Sequence, residues 1–584
     1  MKDFFKSMFA CILGVFVSGF LIIFIGISLL IGAISFTSTP TYTDRPNTVL
    51  YLKLEGTLQE RTKEDPLAFF DENTYITPGL DDILKAIKIA QVNPNISGIY
   101  IEANGFSGGY ASIDEIRQAL KRFKTSGKFI IAYGDNYTQP EYYLAAAADS
   151  IFLNPVGMLD FKGLASERIF FKNTLDKVGV KIQVFKVGTF KSAVEPYIST
   201  QMSDANKQQT NIYLRSIWSH VVKGISADRK LAVYTLNNYA DSLILMQDGK
   251  QLLQEGLIDG LSYRTDIEQK LADLAGVNSI DDLNIATVPD IVTLKKYENN
   301  SKNKIAVLYA TGEIDGINST EEGIDSQKLV SEMKKIQDDA SIVGVVLRVN
   351  SPGGSAFGSE QLWAAVNRLR KVKPVAVSMG DYAASGGYYI SCDADRIFAD
   401  PATLTGSIGI FGLVPDASEL LTDKLGLTFD GVQTNRYGNF PVINRPMNNI
   451  EKKRMQEYVE RGYNLFIKRC AEGRKKQETA IRNIAEGRVW AGADALHIGL
   501  VDQLGSLSDA VKWIAKKASV TDYKRVDFPA KKNIYEEFIK QLTTTVSTRV
   551  TRSVLGENYR YYMALKKIQH IDPIQTRCED ITIE

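Results

Sequence analysis

Val375-Ala376-Val377-Ser378-Met379-Gly380-Asp381-Tyr382-Ala383-Ala384-Ser385-Gly386-Gly387-Tyr388-Tyr389 is the stretch that decides the fold. Its apolar start reads as a strand, its middle as a turn of small residues, and its end as the opening of a short helix. Such a junction leaves backbone N–H groups free at the helix N-terminus, where negative charge is favoured. Ser385 stands there, so its hydroxyl is either a nucleophile offered to a substrate or an ordinary N-cap.

Working outward, the chain contains this pattern twice. Ile96-Ser97-Gly98-Ile99-Tyr100-Ile101-Glu102-Ala103-Asn104 aligns with Ile342-Val343-Gly344-Val345-Val346-Leu347-Arg348-Val349-Asn350, an offset of 342 − 96 = 246 positions. The same offset pairs Gly108 with Gly354, Gly134-Asp135 with Gly380-Asp381, Tyr142-Tyr143 with Tyr388-Tyr389, Asp149 with Asp395 and Pro155 with Pro401. Upstream, Val49 to Gly56 echoes Ile305 to Gly312, and downstream Glu255 to Asp259 echoes Ile498 to Asp502. A register held over such a span marks a tandem duplication.

Each copy alternates short apolar, β-branched runs with helical ones. In the second copy strands are expected at Val343–Val349, Val375–Met379 and Arg396–Ala399, with helices at Gly358–Lys371 and from Ser385. That alternation implies βαβ units and a mostly parallel sheet, an α/β fold of two like domains. The expected divisions are 1–40 for an N-terminal stub and anchor, 41–290 and 300–525 for the two repeats, and 526–584 for a tail with no counterpart in the first copy; Ala286 to Lys304 would link the repeats. Amphipathic helices are expected near Ser203–Lys223 and Asn448–Glu472.

Composition removes some functions. Over 584 residues, 69 Lys and Arg against 68 Asp and Glu leave a net charge of +1, which excludes a nucleic-acid footprint. The cysteines at 11, 392, 470 and 578 fit neither a metal cluster nor a disulfide framework. Between Lys6 and Arg45 the sole charge is Asp44, and Met8 to Phe36 is almost wholly apolar. This exceeds the ~20 residues that span a bilayer as a helix. Lys2 and Lys6 precede it, which favours a cytoplasmic N-terminus with the remaining chain outside; the other reading is a cleaved signal peptide.

The copies also differ, and the differences cluster. Ser385 faces Gln139, and Gly386-Gly387 faces Pro140-Glu141. Asn350-Ser351-Pro352-Gly353-Gly354 faces Asn104-Gly105-Phe106-Ser107-Gly108, so only the second copy has two successive glycines in that turn. Gly353 and Gly354 are candidate oxyanion donors there, against the simpler reading of a tight turn. A serine nucleophile needs a base. None of the three histidines, His220, His497 and His570, lies in a Gly-rich turn at a strand end. A lysine made neutral by burial is the remaining common base. Lys191 sits among small and apolar residues in Gly188-Thr189-Phe190-Lys191-Ser192-Ala193-Val194-Glu195-Pro196-Tyr197, and the approximate counterpart near Arg436 to Gly438 has no lysine. Chemistry alone leaves Lys191 either a loop lysine or that base.

The strings Gly188 to Pro196, Asn350 to Gly354 and Asp381 to Tyr388 resemble signal peptide peptidase A (protease IV), in its long membrane-anchored form with two tandem halves. The resemblance implies a ClpP/crotonase-like α/β fold and a Ser/Lys dyad, with Ser385 as nucleophile and Lys191 as general base. It also implies an oligomeric dome, a tetramer, whose apolar grooves take an extended peptide; the mechanism expected with that dyad has Gly353, Gly354 and Gly386 as oxyanion donors and no cofactor or metal. The expected function is a single-pass serine endopeptidase of the inner (cytoplasmic) membrane that degrades cleaved signal peptides and other apolar peptides on the periplasmic side. Two alternatives stand beside it: a crotonase-like acyl-thioester enzyme and a membrane-tethered scaffold without chemistry.

Overall fold

The computed structural model describes residues 2–36, 42–63, 77–315, 323–531 and 574–578. Two sheets with the same parallel core of six strands form its centre, the second extended by Leu404–Gly406 and by Val489–Ala491, which pairs antiparallel with it. In the first, Thr48–Thr57 is flanked by Asn284–Thr287 on one side; on the other side follow Ile96–Ser107, Phe129–Gly134, Ser150–Leu153 and Gly260–Leu261, all parallel. In the second, Lys304–Thr311 is flanked by Lys524–Phe528, then by Ile342–Ser351, Val375–Ala384, Arg396–Ala399 and Gln503–Leu504, again parallel. Helices cover both faces, so inner strands are apolar on both sides; Ile305 to Ala310 is buried without a break. The helices Asp204–Arg229 and Asn449–Arg474 occupy the places expected of amphipathic cover.

The structure departs from the sequence reading at the repeat ends. Lys524–Phe528 pairs with Lys304–Thr311 as Asn284–Thr287 pairs with Thr48–Thr57. The boundary expected at 525 therefore falls inside a strand, and this part of the tail has a counterpart in the first copy. The linker expected from Ala286 likewise begins inside Asn284–Thr287 and runs into the helix Val288–Val292, whose Val288 and Ile291 are buried. Both edge strands come after a covering helix, Arg264–Ala275 or Leu507–Lys517, and complete a βαβ return too short to show as a hydrophobic run. The strand from Val375 also continues past Met379 to Ala384, because Tyr382 to Ala384 pairs with Leu404–Gly406.

A third, mixed sheet stitches the repeats together. Its order is Gly323–Ile324, Glu313–Ile314, Gly353–Ser355, Ile574–Arg577, Phe411–Asp416 and Lys181–Lys186. Lys181–Lys186 comes from the first repeat and pairs antiparallel with Phe411–Asp416 of the second. Ile574–Arg577 comes from the expected tail; positions 532–573 and 579–584 of that tail lie outside the described residues.

Buried polar contacts lock the repeats further. Arg348 donates from Nε to Glu60 at 2.8 Å and from Nη1 to Glu115 at 2.6 Å. Desolvation opposes its charge, but the two carboxylates outweigh it and hold the guanidinium above its ordinary range. Asp381 accepts from the backbone and hydroxyl of Ser112 at 2.9 and 2.6 Å. Asp114 and Asp400 meet across the same boundary beside His220. Desolvation acts to raise both carboxyls; at Asp114 His220, Tyr143 and Arg117 outweigh it and hold the group low. At Asp400 desolvation dominates, the charge of Asp114 adds to it, and the carboxyl is pushed well above its usual range.

The first helix runs Lys2–Phe36. Among the described residues no helix is long and apolar enough to cross a membrane; the side chains of 26–36, the last part of the expected span, lie outside them.

Candidate active site

The strand Val375–Ala384 ends where the helix Gly386–Ser391 begins, and Ser385 makes the turn with φ 54 and ψ −111. A positive φ at a non-glycine residue is strained. The N-cap reading fails here, because the Ser385 hydroxyl accepts no hydrogen bond from the first turn of that helix. Its Oγ lies instead 2.8 Å from Lys191 Nζ, although 194 positions separate the residues. Both side chains are sealed from solvent, Ser385 at 0 % exposure and Lys191 at 1 %. The two sequence candidates that belong to different repeats thus come together.

Lys191 sits in the turn after Lys181–Lys186, which the third sheet carries toward the second repeat. Nζ reaches Ser407 Oγ at 3.1 Å and Ser407 O at 3.3 Å. A neutral amine has two N–H bonds and one lone pair. Nζ donates to Ser385 Oγ as well as to Ser407, and the Ser385 hydroxyl in turn donates to Gly409 O at 3.4 Å; a neutral amine would instead turn its lone pair to the Ser385 proton. Burial favours this neutral form, since desolvation penalises an ammonium. Gly409 and Gly487 make room for the stem: a Cβ on Gly409 would lie 3.2 Å from Lys191 Cδ, and one on Gly487 2.7 Å from Lys191 Cβ.

The glycine turns converge on the serine. A Cβ on Gly353 would overlap Thr576 O and lie 2.7 Å from Gly386 N, and one on Gly386 would lie 3.0 Å from Gly353 Cα. The Gly353 N–H donates to Ser351 Oγ at 3.2 Å. Gly354 pairs with Thr576 of the tail strand, and Cys578 N donates to Pro352 O at 2.7 Å. Gly386 opens its helix, so its N–H has no intrahelical acceptor.

In the first repeat the same place is closed. Gln139, opposite Ser385, accepts from the N–H groups of Lys162 and Gly163 at 3.0 and 2.9 Å. Glu141 accepts the Phe106 N–H at 2.7 Å, so a carboxylate of the chain itself occupies that turn. Among the histidines, His220 lies 3.5 Å from Asp114 and His497 ends the helix Gly492–His497, while His570 is outside the described residues. Asp114, His220 and Asp400 place three ligand-type atoms within 4.8 Å of one another. Tyr143 already donates to Asp114 Oδ1 at 2.8 Å and Arg117 Nε stands 3.5 Å away, a cationic neighbour that suits a hydrogen-bonded pair better than a metal.

Sequence reasoning missed Ser407, Gly409, Gly487 and the tail strand. Comparison of the copies carries a signal for the first: at the offset of 246, Ser407 faces the buried Phe161.

The model of "Peptidase family S49" matches residues 122–278 and 367–521 of the chain. Protease 4 of Haemophilus influenzae is 35 % identical over 560 residues, 92 % of this chain and 89 % of that protein. Protease 4 of Salmonella typhi is 33 % identical, over 90 % of this chain and 84 % of its own length. A chloroplastic serine protease SPPA of Arabidopsis thaliana is 27 % identical, over 82 % and 71 %. Among solved structures, a mutant ClpP1 from Listeria monocytogenes matches 35 % of this chain and 94 % of its own at 13 % identity, with a TM-score of 0.24 that carries no argument. With the family matched once in each repeat, and with such relatives along nearly its whole length, the chain belongs to peptidase family S49 and is a serine protease.

Proposed function

We propose that the chain is a membrane-anchored endopeptidase in which Ser385 is the nucleophile and Lys191 the general base. The observation that carries this reading is the buried 2.8 Å contact between Lys191 Nζ and Ser385 Oγ across the repeat boundary. Neutral Lys191 takes the Ser385 proton as Oγ attacks the peptide carbonyl, and the carbonyl electron pair moves to oxygen. Backbone N–H groups of the convergent glycines, Gly386 with Gly353 or Gly354, hold that oxyanion; one such donor contributes on the order of 3 kcal/mol. Protonated Lys191 then gives its proton to the departing amine and leaves an acyl-enzyme. Water, deprotonated by Lys191, releases the acid.

The substrate is proposed to be an extended peptide. Ile574–Arg577 supports this, since a strand of the chain already lies antiparallel to Gly353–Ser355 and to Phe411 and Gly412 beside the serine. Ile574, Thr576 and Cys578 are buried in alternation with the half-exposed Gln575 and Arg577. Thr576 Oγ1 lies 3.0 Å from Ser359 Oγ, a close approach that favours a small side chain at the corresponding position of a bound peptide. This strand track favours a peptide over the acyl thioester of a crotonase-like enzyme. Signal peptides are the substrate that the relatives' names suggest, one being a putative signal peptide peptidase SppA of Enterococcus faecium.

The anchor is supported by the first helix, where Phe9, Leu13, Phe16, Phe20 and Phe24 stand exposed behind Lys2 and Lys6. With such an anchor the catalytic repeats would lie on the extracytoplasmic side of the inner membrane. Assembly with further copies, a homotetramer in the proposed form, is supported by the exposed apolar side chains of Leu425, Leu427, Phe429, Val432 and Phe440. The test is direct: Ser385→Ala and Lys191→Ala should each abolish hydrolysis of an apolar peptide while the protein stays folded. Retained cleavage by purified Lys191→Ala would sink the dyad.

A further inference from the structure

Lys191 belongs to the first repeat, while Ser385 and Ser407 belong to the second, so the dyad distance depends on a junction between two separately built domains. Backbone contacts make part of that junction, with Phe190 N donating to Glu486 O at 2.9 Å. A single side chain makes another part. Gln209, on the helix Asp204–Arg229, is 1 % exposed. Its Nε2 donates to Phe190 O at 3.0 Å and lies 3.1 Å from both Ser192 Oγ and Asn206 Oδ1. Its Oε1 accepts from Val489 N at 3.1 Å. A backbone carbonyl at one end and a backbone N–H at the other fix the amide's orientation, because a flip would set like against like.

What lies beyond Val489 gives this bridge its meaning. Val489 pairs with Gly406 in an antiparallel ladder. Gly406 O accepts the Ser385 N–H at 2.8 Å, and the next residue, Ser407, holds Lys191 Nζ. Gln209 thus joins the two residues flanking Lys191 to the strand pair that seats both partners of its amine. The helix end is itself tied to the base turn: Glu195 accepts from Ser203 Oγ at 2.5 Å and from Asn206 Nδ2 at 3.0 Å.

We propose that Gln209 is a positioning residue that sets the register of the Lys191 amine against Ser385. It touches no reacting atom. It acts by holding the turn at Phe190 and Ser192 to Val489, and a slip of about 1 Å in such a turn can cost on the order of a hundredfold in rate. The inference rests on Lys191 being the base.

The experiment compares Gln209→Met and Gln209→Glu with the full-length parent, Lys191→Ala measured alongside, through kcat, KM and the pH profile of peptide hydrolysis. Gln209→Met removes the amide at similar volume; Gln209→Glu keeps the acceptor for Val489 N–H, removes the donor to Phe190 O, and serves where the first variant does not fold. Expected is a fall in kcat of roughly ten- to a hundredfold with KM within about twofold of the parent. The acidic limb of the profile moves to higher pH, because an amine less firmly held in its buried seat protonates more readily. A purely structural glutamine would lower activity by one factor at every pH and leave the limb in place, which would overturn the proposal. So would a parent-like kcat in either folded variant while Lys191→Ala is dead. Cleavage by Lys191→Ala would overturn the dyad itself, and the two failures are distinct.

Discussion

Ser407→Ala separates the seating of the amine from its chemistry. Lys191 Nζ lies against Ser385 Oγ at 2.8 Å, Ser407 Oγ at 3.1 Å and Ser407 O at 3.3 Å. The substitution removes the second and leaves the others. A hydrogen bond of this kind contributes a net ~1 kcal/mol for a neutral donor and about 1.5–3 kcal/mol for a charged one. In the proposed mechanism the lysine carries charge only after it has taken the proton, so the larger loss falls on the transition state. The difference between the two losses is about 0.5–2 kcal/mol, and with about 1.4 kcal/mol per decade kcat should drop roughly two- to thirtyfold. The sign of the pH effect follows from the same asymmetry. Without the hydroxyl the ammonium loses more than the amine, so the acidic limb moves to lower pH, opposite to the shift expected for Gln209→Met. Ser407 also stands at φ 48, so Ser407→Gly serves as the control that removes the hydroxyl and the strain together. The assay is kcat for a fluorogenic apolar peptide over about pH 6 to 10, with phosphonate labelling of Ser385 to count competent sites. An unchanged kcat would show the hydroxyl to be idle. A limb moved to higher pH, or a loss as complete as that of Ser385→Ala, would refute the assignment of the hydroxyl as an acceptor for the amine.

Three further outcomes are expected. Gly353→Ala puts a Cβ against Thr576 O and 2.7 Å from Gly386 N at a residue with φ 102; the backbone strain alone costs about 1–3 kcal/mol, so hydrolysis and thermal midpoint should both fall, and a parent-like enzyme would contradict the close approach of the two turns. Asp400→Asn keeps an acceptor for Ala402 N, which Asp400 Oδ1 now fills at 2.8 Å, and puts a donor toward Asp114 as the protonated acid does. An acid whose carboxyl is raised on folding supports the fold below its unfolded value of about 4 and loses that support as pH rises through its folded value; Asp400→Asn should therefore flatten the alkaline fall in thermal midpoint, and parallel curves for parent and variant would refute the shared proton. Removal of residues 574–584 should lower KM for added peptide about tenfold or more, since a tethered strand competes at an effective concentration of the order of millimolar; an unchanged KM would place the substrate elsewhere than beside Gly353–Ser355.

The duplicated sheets were legible because their signals are local. Apolar runs such as Ile342 to Val349 and Val375 to Met379 end in glycine turns, and their register repeats at a fixed offset. Ser385 could be singled out because the other copy shows Gln139 there. Lys191 was visible only through its setting and the family string around it. What escaped has no local pattern: Ser407 meets Lys191 across 216 positions, Val489 meets Gln209 across 280, and Thr576 meets Gly354 across 222. Contacts of that span are set by how the two repeats dock. Docking depends on buried pairs such as Arg348 with Glu60 and Glu115, whose members read in sequence as ordinary surface charges. The strand Ile574–Arg577 has three polar residues in four and borrows its stability from Gly353–Ser355 and Phe411–Gly412.

The division of Lys191 and Ser385 between repeats also orders events during synthesis. In the proposed dyad the base, Lys191, leaves the ribosome first and the nucleophile, Ser385, 194 residues later. A nascent chain that has completed only its first repeat holds an amine with nothing to deprotonate, and its Gln139 turn is already shut by Glu141. On the proposed dyad, hydrolysis would begin only when both halves exist and have docked, so that the chain would be its own zymogen, kept inert by incompleteness rather than by a propeptide.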